Sequence, residues 1–173
     1  MIRVVVTGSE CTGKTTLAQA LAEHYDTVWV PEYVRQFVDK QGRAPEYGDV
    51  DTIAHGQIAL EDSMALKAST LLVQDCDLLS TTVYSRHYYG DCPLWIEQAL
   101  LDRQADLYLL TGIDVPWAPD GDQRDRGARR EDMHELFRQA LTTRGLSFVE
   151  IHGLGDDRLN RAIAAVNMVL PKL

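Results

Sequence analysis

The feature that most constrains this chain is the stretch GSECTGKTT, residues 8–16, which fits the phosphate-loop pattern G-x-x-x-x-G-K-[ST]. The glycines of that pattern let the backbone turn so that successive N–H groups face a phosphate. The competing interpretation is an ordinary glycine turn that caps a helix. Here an apolar run of the buried-strand type ends at Val6, and an alanine-rich helical segment follows Lys14. Strand, loop and helix therefore stand in the order that a nucleotide site requires, with the positive end of the helix towards the anion.

Short apolar or β-branched runs alternate with longer helical patterns along the chain. These runs are continuous, which is typical of strands buried on both faces in a parallel sheet. Apolar residues recur at helical spacing between them. The alternation predicts a three-layer α/β fold with a parallel sheet of about five strands. The predicted strands are Ile2–Val6, Thr27–Val30, Thr70–Val73, Asp106–Leu110 and Ser147–Ile151, and the predicted helices include Thr15–Tyr25, Asp49–Ala68, 133–141 and 159–170.

The composition of the chain excludes some kinds of binding partner. The formal net charge of −9 argues against non-specific binding to nucleic acid or to an anionic membrane. No apolar run approaches membrane-spanning length, and the first residues are too short a run for a signal peptide. The three cysteines are odd in number and lack metal-ligand spacing, which indicates reduced thiols. We therefore expect a cytoplasmic protein that acts on a small molecule, with an oligomeric state that the sequence does not specify.

The phosphate loop predicts ATP as ligand and Mg²⁺ as its companion. Lys14 would bridge the β- and γ-phosphates, and the Thr15 hydroxyl would hold Mg²⁺. The other loop residues would contact the phosphates, mainly through backbone N–H groups; they are Gly8, Ser9, Glu10, Cys11, Thr12, Gly13 and Thr16.

Two carboxylates stand at the ends of predicted strands, and a kinase needs carboxylates near the acceptor hydroxyl and near Mg²⁺. Glu32 follows VWVP and Asp75 follows TLLVQ, so both should lie at the carboxyl edge of the sheet, where the phosphate loop opens. Either residue could orient or deprotonate the hydroxyl, and Asp75 could also serve Mg²⁺. Each could instead be a helix N-cap. Asp77 is a further candidate for substrate binding, although its position before LLSTTVYS also suits an N-cap.

Arginines crowd into DGDQRDRGARRE, residues 120–131, of an otherwise acidic chain. Such a run is often a solvated helix face. Its glycine-bearing connection before a helix favours a lid, about residues 118–132, that closes over bound substrate. We assign Arg124 and Arg126 to the transferring phosphoryl group, and Arg129 and Arg130 to the ATP phosphates.

Aromatic side chains could stack on a flat substrate, although core packing is their commoner role. Tyr33 and Arg35 adjoin Glu32 and are expected near the acceptor pocket. Trp117 lies in a proline-rich loop that leads into the predicted lid, and it is a further candidate for substrate binding.

Together these segments resemble the ribosylnicotinamide kinase domain of bifunctional bacterial NAD-biosynthesis regulators. The segments that carry the resemblance are GSECTGKTTLAQALA, VPEYVRQF, QDCDLLSTTVYS and DLYLLTGIDVPWAPDGDQRDRGARREDMHELF, in the same order over nearly the whole chain. The phosphate loop alone is shared by a vast superfamily, whereas the other three elements are more specific. One departure is Pro31, which stands where an aromatic clamp for the nicotinamide ring could sit.

The resemblance implies a nucleoside kinase fold and transfer of the ATP γ-phosphoryl group to the 5′-hydroxyl of nicotinamide riboside. Residues 1–173 would then form a single stand-alone kinase domain, without the nucleotidyltransferase and DNA-binding domains of those regulators. Two alternatives stay open: a kinase for another nucleoside or nucleotide, and an ATP-binding sensor without an acceptor. A monophosphate acceptor is disfavoured because residues 46–62 are rich in acids rather than cations.

Overall fold

A five-stranded sheet, parallel throughout, forms the centre of the protein. The structure is a computed structural model, and it describes residues 1–116 and 129–171. The strand order is β2-β3-β1-β4-β5, so the strand that leads into the phosphate loop is central. The strands are β1 (Ile2–Thr7), β2 (Trp29–Val30), β3 (Leu71–Asp75), β4 (Leu107–Thr111) and β5 (Phe148–Ile151).

Seven α-helices lie in the described part of the chain, together with a short 3₁₀ turn at Tyr47–Asp49. Among residues 1–116 and 129–171, none of these helices has both the length and the apolar character needed to cross a membrane. The helices are α1 (Lys14–His24), α2 (Tyr33–Gln41), α3 (Val50–Ala65), α4 (Leu78–Tyr89), α5 (Leu94–Asp102), α6 (Arg130–Thr143) and α7 (Gly155–Asn167).

The helices cover both faces of the sheet, because successive side chains of each strand point to opposite faces. On β1, Val4 and Val6 pack with α1 and α7, whereas Val5 packs with α3 to α6. All three valines are fully buried. The predicted three-layer α/β fold is therefore confirmed, and its two cores lie on opposite sides of one sheet.

The five predicted strands are all present, with shifted ends. Strand β2 lacks Thr27, whose Oγ1 donates to the Leu71 carbonyl 2.6 Å away. Strand β3 instead continues to Asp75, because Gln74 and Asp75 pair with Val5 and Val6 of β1. The end of β3 thus lies directly beside the start of the phosphate loop.

Three helices, α2, α4 and α5, lie outside the segments predicted as helical, although Glu32 and Asp77 were considered as possible N-caps of the first two. Helix α4 shows why: its sequence, LLSTTVYSRHYY, is rich in residues that favour strands. Tertiary contacts determine its conformation, since six of its residues are buried. Its ends are set by Asp77, whose side chain accepts from the Leu79 N–H, and by Gly90 in the left-handed conformation.

Candidate active site

The phosphate loop joins β1 to α1 and is held by two threonine hydroxyl groups, one from the neighbouring strand β4 and one from the loop itself. Thr111, at the end of β4, donates to the Thr7 carbonyl 3.0 Å away, and its Oγ1 lies 2.7 Å from Oγ1 of Thr12. Thr12 in turn donates to the Ser9 carbonyl at 2.8 Å. These hydrogen bonds fix the path of the loop between its two glycines.

Gly8 shows how tightly the loop is placed against β4. Its φ is +136°, and a Cβ at this position would lie 2.6 Å from Oγ1 of Thr111. Both the conformation and the space therefore require glycine. Gly13, with φ of +72°, precedes the first residue of α1 and turns the chain into the helix.

Lys14 is buried, and its Nζ donates to the Ser9 carbonyl 2.8 Å away. The ammonium group thus lies across the mouth of the loop. Thr15 follows on α1, and its Oγ1 donates to Oδ2 of Asp75 at 2.5 Å. A hydroxyl and a carboxylate in contact beside a phosphate loop form an oxygen donor set that fits Mg²⁺.

Asp75 is buried at the end of β3, so its carboxyl group is drawn out of water. Burial raises its pKa, and the nearby Glu32 carboxylate raises it further. The hydrogen bond from Thr15 and the charges of Lys14 and Arg35 oppose that change. Asp75 ends β3 and Glu32 follows the neighbouring strand β2, so both carboxylates lie at the carboxyl edge of the sheet, as their positions at strand ends predicted.

Glu32 is the N-cap residue of α2, and Arg35 donates to its Oε2 at 3.2 Å. Glu32 lines a cavity of about 540 Å³ that Lys14 also lines, whereas Asp75 does not line it. The structure therefore separates the two carboxylates: Asp75 contacts the phosphate-loop threonine, and Glu32 faces the cavity.

The cavity has charged and aromatic walls, and its volume suits a nucleoside-sized ligand. Helix α4 supplies the aromatic wall, in which the rings of Tyr84 and Tyr88 stack with centroids 5.9 Å apart. The hydroxyl of Tyr84 is buried and has no hydrogen-bond partner among the described residues. The charged lining residues are Glu10, Lys14, Glu32, Arg35, Asp39 and Asp77.

Asp77 both caps α4 and lines the cavity. Its Oδ1 accepts from the Leu79 N–H at 2.9 Å, and its Oδ2 accepts from the Tyr108 hydroxyl at 2.8 Å. Burial, followed by the nearby Glu61 carboxylate, raises the pKa of Asp77 to about 7. Its two acceptor atoms are thus already used within the protein.

The raised pKa of Asp77 predicts a pH-dependent stability. The folded protein holds a proton on Asp77 up to about pH 7, whereas the unfolded chain releases it near pH 4. The contribution of Asp77 to folding is therefore fully present below about pH 4 and is lost as pH rises to about 7. Replacing Asp77 by Asn should remove this component. Urea denaturation at several pH values should show the difference in unfolding free energy, wild type minus variant, falling by on the order of a few kcal/mol.

Asp102→Asn is the matched control, because Asp102 is exposed at the end of α5. The difference in unfolding free energy between wild type and this control should not change with pH over the same range. A pH-independent difference for Asp77→Asn as well would contradict the raised pKa of Asp77.

The remaining predicted site residues occupy varied places. Tyr33 lies outside the cavity wall, and its ring packs where a Cβ of Gly56 would be. Arg129 is exposed before α6, whereas Arg130 donates to the carbonyls of Cys11 at 3.3 Å and Val115 at 2.9 Å. Trp117, Arg124, Arg126 and most of the predicted lid lie outside the described residues, and the roles assigned to all these residues stay predictions.

Sequence reasoning missed Arg158 of α7, which is 6% exposed and lies against the donor side of the loop. Its Nη2 donates to the Gly112 carbonyl at 3.3 Å, and its Nη1 lies 3.6 Å from where a Cβ of Gly13 would be. Burial lowers its pKa, Asp114 opposes that change, and the charge of Arg130 adds to it. Sequence reasoning missed it because Arg158 lies on an amphipathic helix, where an arginine is expected to face solvent.

Comparisons with known proteins identify relatives of the chain in sequence and in fold. The chain is 27% identical over 172 residues to the trifunctional NAD biosynthesis/regulator protein NadR of Escherichia coli strain K12, a match that covers 96% of this chain and 41% of NadR. The resemblance found in the sequence is thus confirmed as homology. Because the match spans about two-fifths of that relative, the single-domain organisation predicted for residues 1–173 stays a prediction.

Two crystal structures of NadR share the fold. One, in complex with NR, has a TM-score of 0.82 at 24% identity and is matched over 99% of this chain and 53% of that chain. The other, in complex with NAD and AMP-PNP, has a TM-score of 0.83 at 22% identity, over 99% and 51% of the two chains. The family model described as an AAA domain matches residues 3–158, so the chain belongs to the AAA domain family.

Proposed function

We propose that this protein is an ATP-dependent kinase that phosphorylates the 5′-hydroxyl of nicotinamide riboside, giving nicotinamide mononucleotide and ADP. One observation carries the proposal: Lys14 of the phosphate loop and Glu32 at the edge of the sheet line the same cavity. A donor phosphate and an acceptor hydroxyl can therefore meet between a cation and a carboxylate. The crystal structures of the homologue NadR with NR and with AMP-PNP support this choice of ligands.

The geometry supports a division of labour between the two carboxylates. Glu32 would orient the 5′-hydroxyl and take its proton as the oxygen attacks the γ-phosphorus atom. The bond between that phosphorus and the bridging oxygen of ADP then breaks, while Lys14 stabilises the charge that develops on the phosphoryl oxygens. Thr15 and Asp75 would hold Mg²⁺, which when bound supplies charge neutralisation on the phosphates.

None of the three cysteines, all of which lie in the described part of the chain, forms a disulfide. This is in keeping with a reducing compartment, and we place the reaction in the cytoplasm. The substrates would be small molecules throughout.

The direct test is acceptor-dependent turnover. Purified protein with Mg²⁺ and ATP is incubated with nicotinamide riboside and a panel of other nucleosides, and ADP and nucleoside monophosphates are measured by chromatography and mass spectrometry. We expect nicotinamide mononucleotide in amounts equal to the ADP formed, and only trace ADP without acceptor.

Two outcomes would contradict the proposal in different ways. Efficient product from another nucleoside, without nicotinamide mononucleotide, would overturn the substrate and leave the chemistry in place. Binding of ATP by folded protein without any acceptor-dependent turnover would instead favour a nucleotide sensor.

A further inference from the structure

Glu10 is an unusual residue for its place, because it puts a carboxylate inside a loop that binds phosphate anions. Glu10 also lines the 540 Å³ cavity, together with Glu32 and the aromatic wall of α4. The loop that would hold the donor thus also contributes a side chain to the acceptor pocket.

Glu10 and Tyr84 line the same cavity. Burial raises the pKa of the Tyr84 hydroxyl well above its usual range, and the negative charges of Glu10 and Glu32 raise it further. All three residues line the one cavity. Since the rings of Tyr84 and Tyr88 stack in its wall, the cavity is lined both by Glu10 and by an aromatic surface.

The charge balance of the cavity is negative. Besides Asp77, whose pKa is raised to about 7, three carboxyl groups line it, from Glu10, Glu32 and Asp39, against two cationic side chains, from Lys14 and Arg35. Of the two cations, Lys14 donates into the phosphate loop and Arg35 pairs with Glu32. An acceptor with a positive charge on a flat ring would be attracted to such a surface, and one with a phosphate group would be repelled.

We propose that Glu10 is a specificity-determining residue that selects an acceptor with a cationic ring over a neutral one of the same shape. This inference rests on the proposed function, because it concerns the acceptor side of that reaction. Nicotinamide riboside carries a positive charge on its pyridinium ring, whereas its dihydro form has nearly the same size, the same 5′-hydroxyl and no charge.

The test is the ratio of kcat/KM for nicotinamide riboside to that for dihydronicotinamide riboside. Glu10→Gln should lower this ratio about tenfold relative to wild type, mainly through the KM of the cationic acceptor, with the KM for ATP unchanged or lower. Glu10→Asp retains the charge and should retain most of the ratio. Glu23→Gln removes an exposed carboxylate from α1 and should leave the ratio unchanged.

An unchanged ratio in Glu10→Gln would overturn the inference, as would an effect confined to the KM for ATP. If wild type phosphorylates neither riboside, the proposed function is wrong, whatever the role of Glu10. Calorimetric titration of wild type and Glu10→Gln with the two ribosides then tests the role of Glu10 separately. A loss of affinity for the cation alone supports it, and equal affinities in the two proteins overturn it.

Discussion

Replacing Lys14 by Ala is expected to lower kcat/KM for phosphoryl transfer by about 10³-fold, roughly 4 kcal/mol of transition-state stabilisation. Lys14 is the cation that the structure places both in the phosphate loop and on the cavity wall. Its charge counts most as negative charge grows on the transferring phosphoryl group, in a site shielded from water. Initial rates over a range of ATP and acceptor concentrations measure the loss.

The matched control is Lys40→Ala, which removes an exposed lysine from the end of α2. It should keep near wild-type rates. Thermal denaturation of both variants checks that they fold. A folded Lys14→Ala protein that retains more than about a tenth of wild-type kcat/KM would contradict the role of Lys14.

The second large effect is expected for Asp75→Asn, with kcat falling by about 10²-fold or more at ordinary Mg²⁺ concentrations. Asp75 contacts Thr15 rather than the cavity, so its carboxylate belongs with the metal in the proposed arrangement. An amide is a weaker ligand for Mg²⁺ than a carboxylate. The Mg²⁺ concentration that gives half-maximal rate should therefore rise in the variant, while the KM for the acceptor stays near that of wild type.

The outcome that would reverse this assignment is equally concrete. If Asp75→Asn abolishes transfer with unaltered Mg²⁺ dependence and unaltered ATP affinity, Asp75 acts on the acceptor hydroxyl instead. Glu32→Gln provides the comparison, since it should lower kcat without moving the Mg²⁺ dependence.

Local sequence patterns were sufficient to locate the phosphate loop and the two carboxylates near it. The phosphate loop is recognisable because its conformation requires particular residues at fixed positions. Gly8 is one of them, since Thr111 leaves no room there for a side chain. Glu32 and Asp75 could be placed because the carboxyl ends of parallel strands share an edge of the sheet. Their division between cavity and phosphate loop depends on side-chain directions, which only the three-dimensional structure fixes.

The other parts of the site depend on contacts between distant parts of the chain. The aromatic wall lies on α4, whose strand-favouring residues left a possible N-cap at Asp77 as its one helical signal in the sequence. Arg158 follows the loop by more than 140 positions and reaches it only through the packing of α7 on α1. Glu10 belongs to the phosphate loop and also lines the cavity, and its position in the sequence indicates only the first of these.

The hydrogen bonds that hold the phosphate loop affect the free energy of nucleotide binding. Thr7, Thr111, Thr12 and Ser9 form a continuous chain of contacts from the central strands into the loop, and all four are buried. Little conformational entropy is then left for the loop to lose when a nucleotide arrives. Donor binding should accordingly carry a small ordering cost, because the cradle is preorganised by the sheet itself.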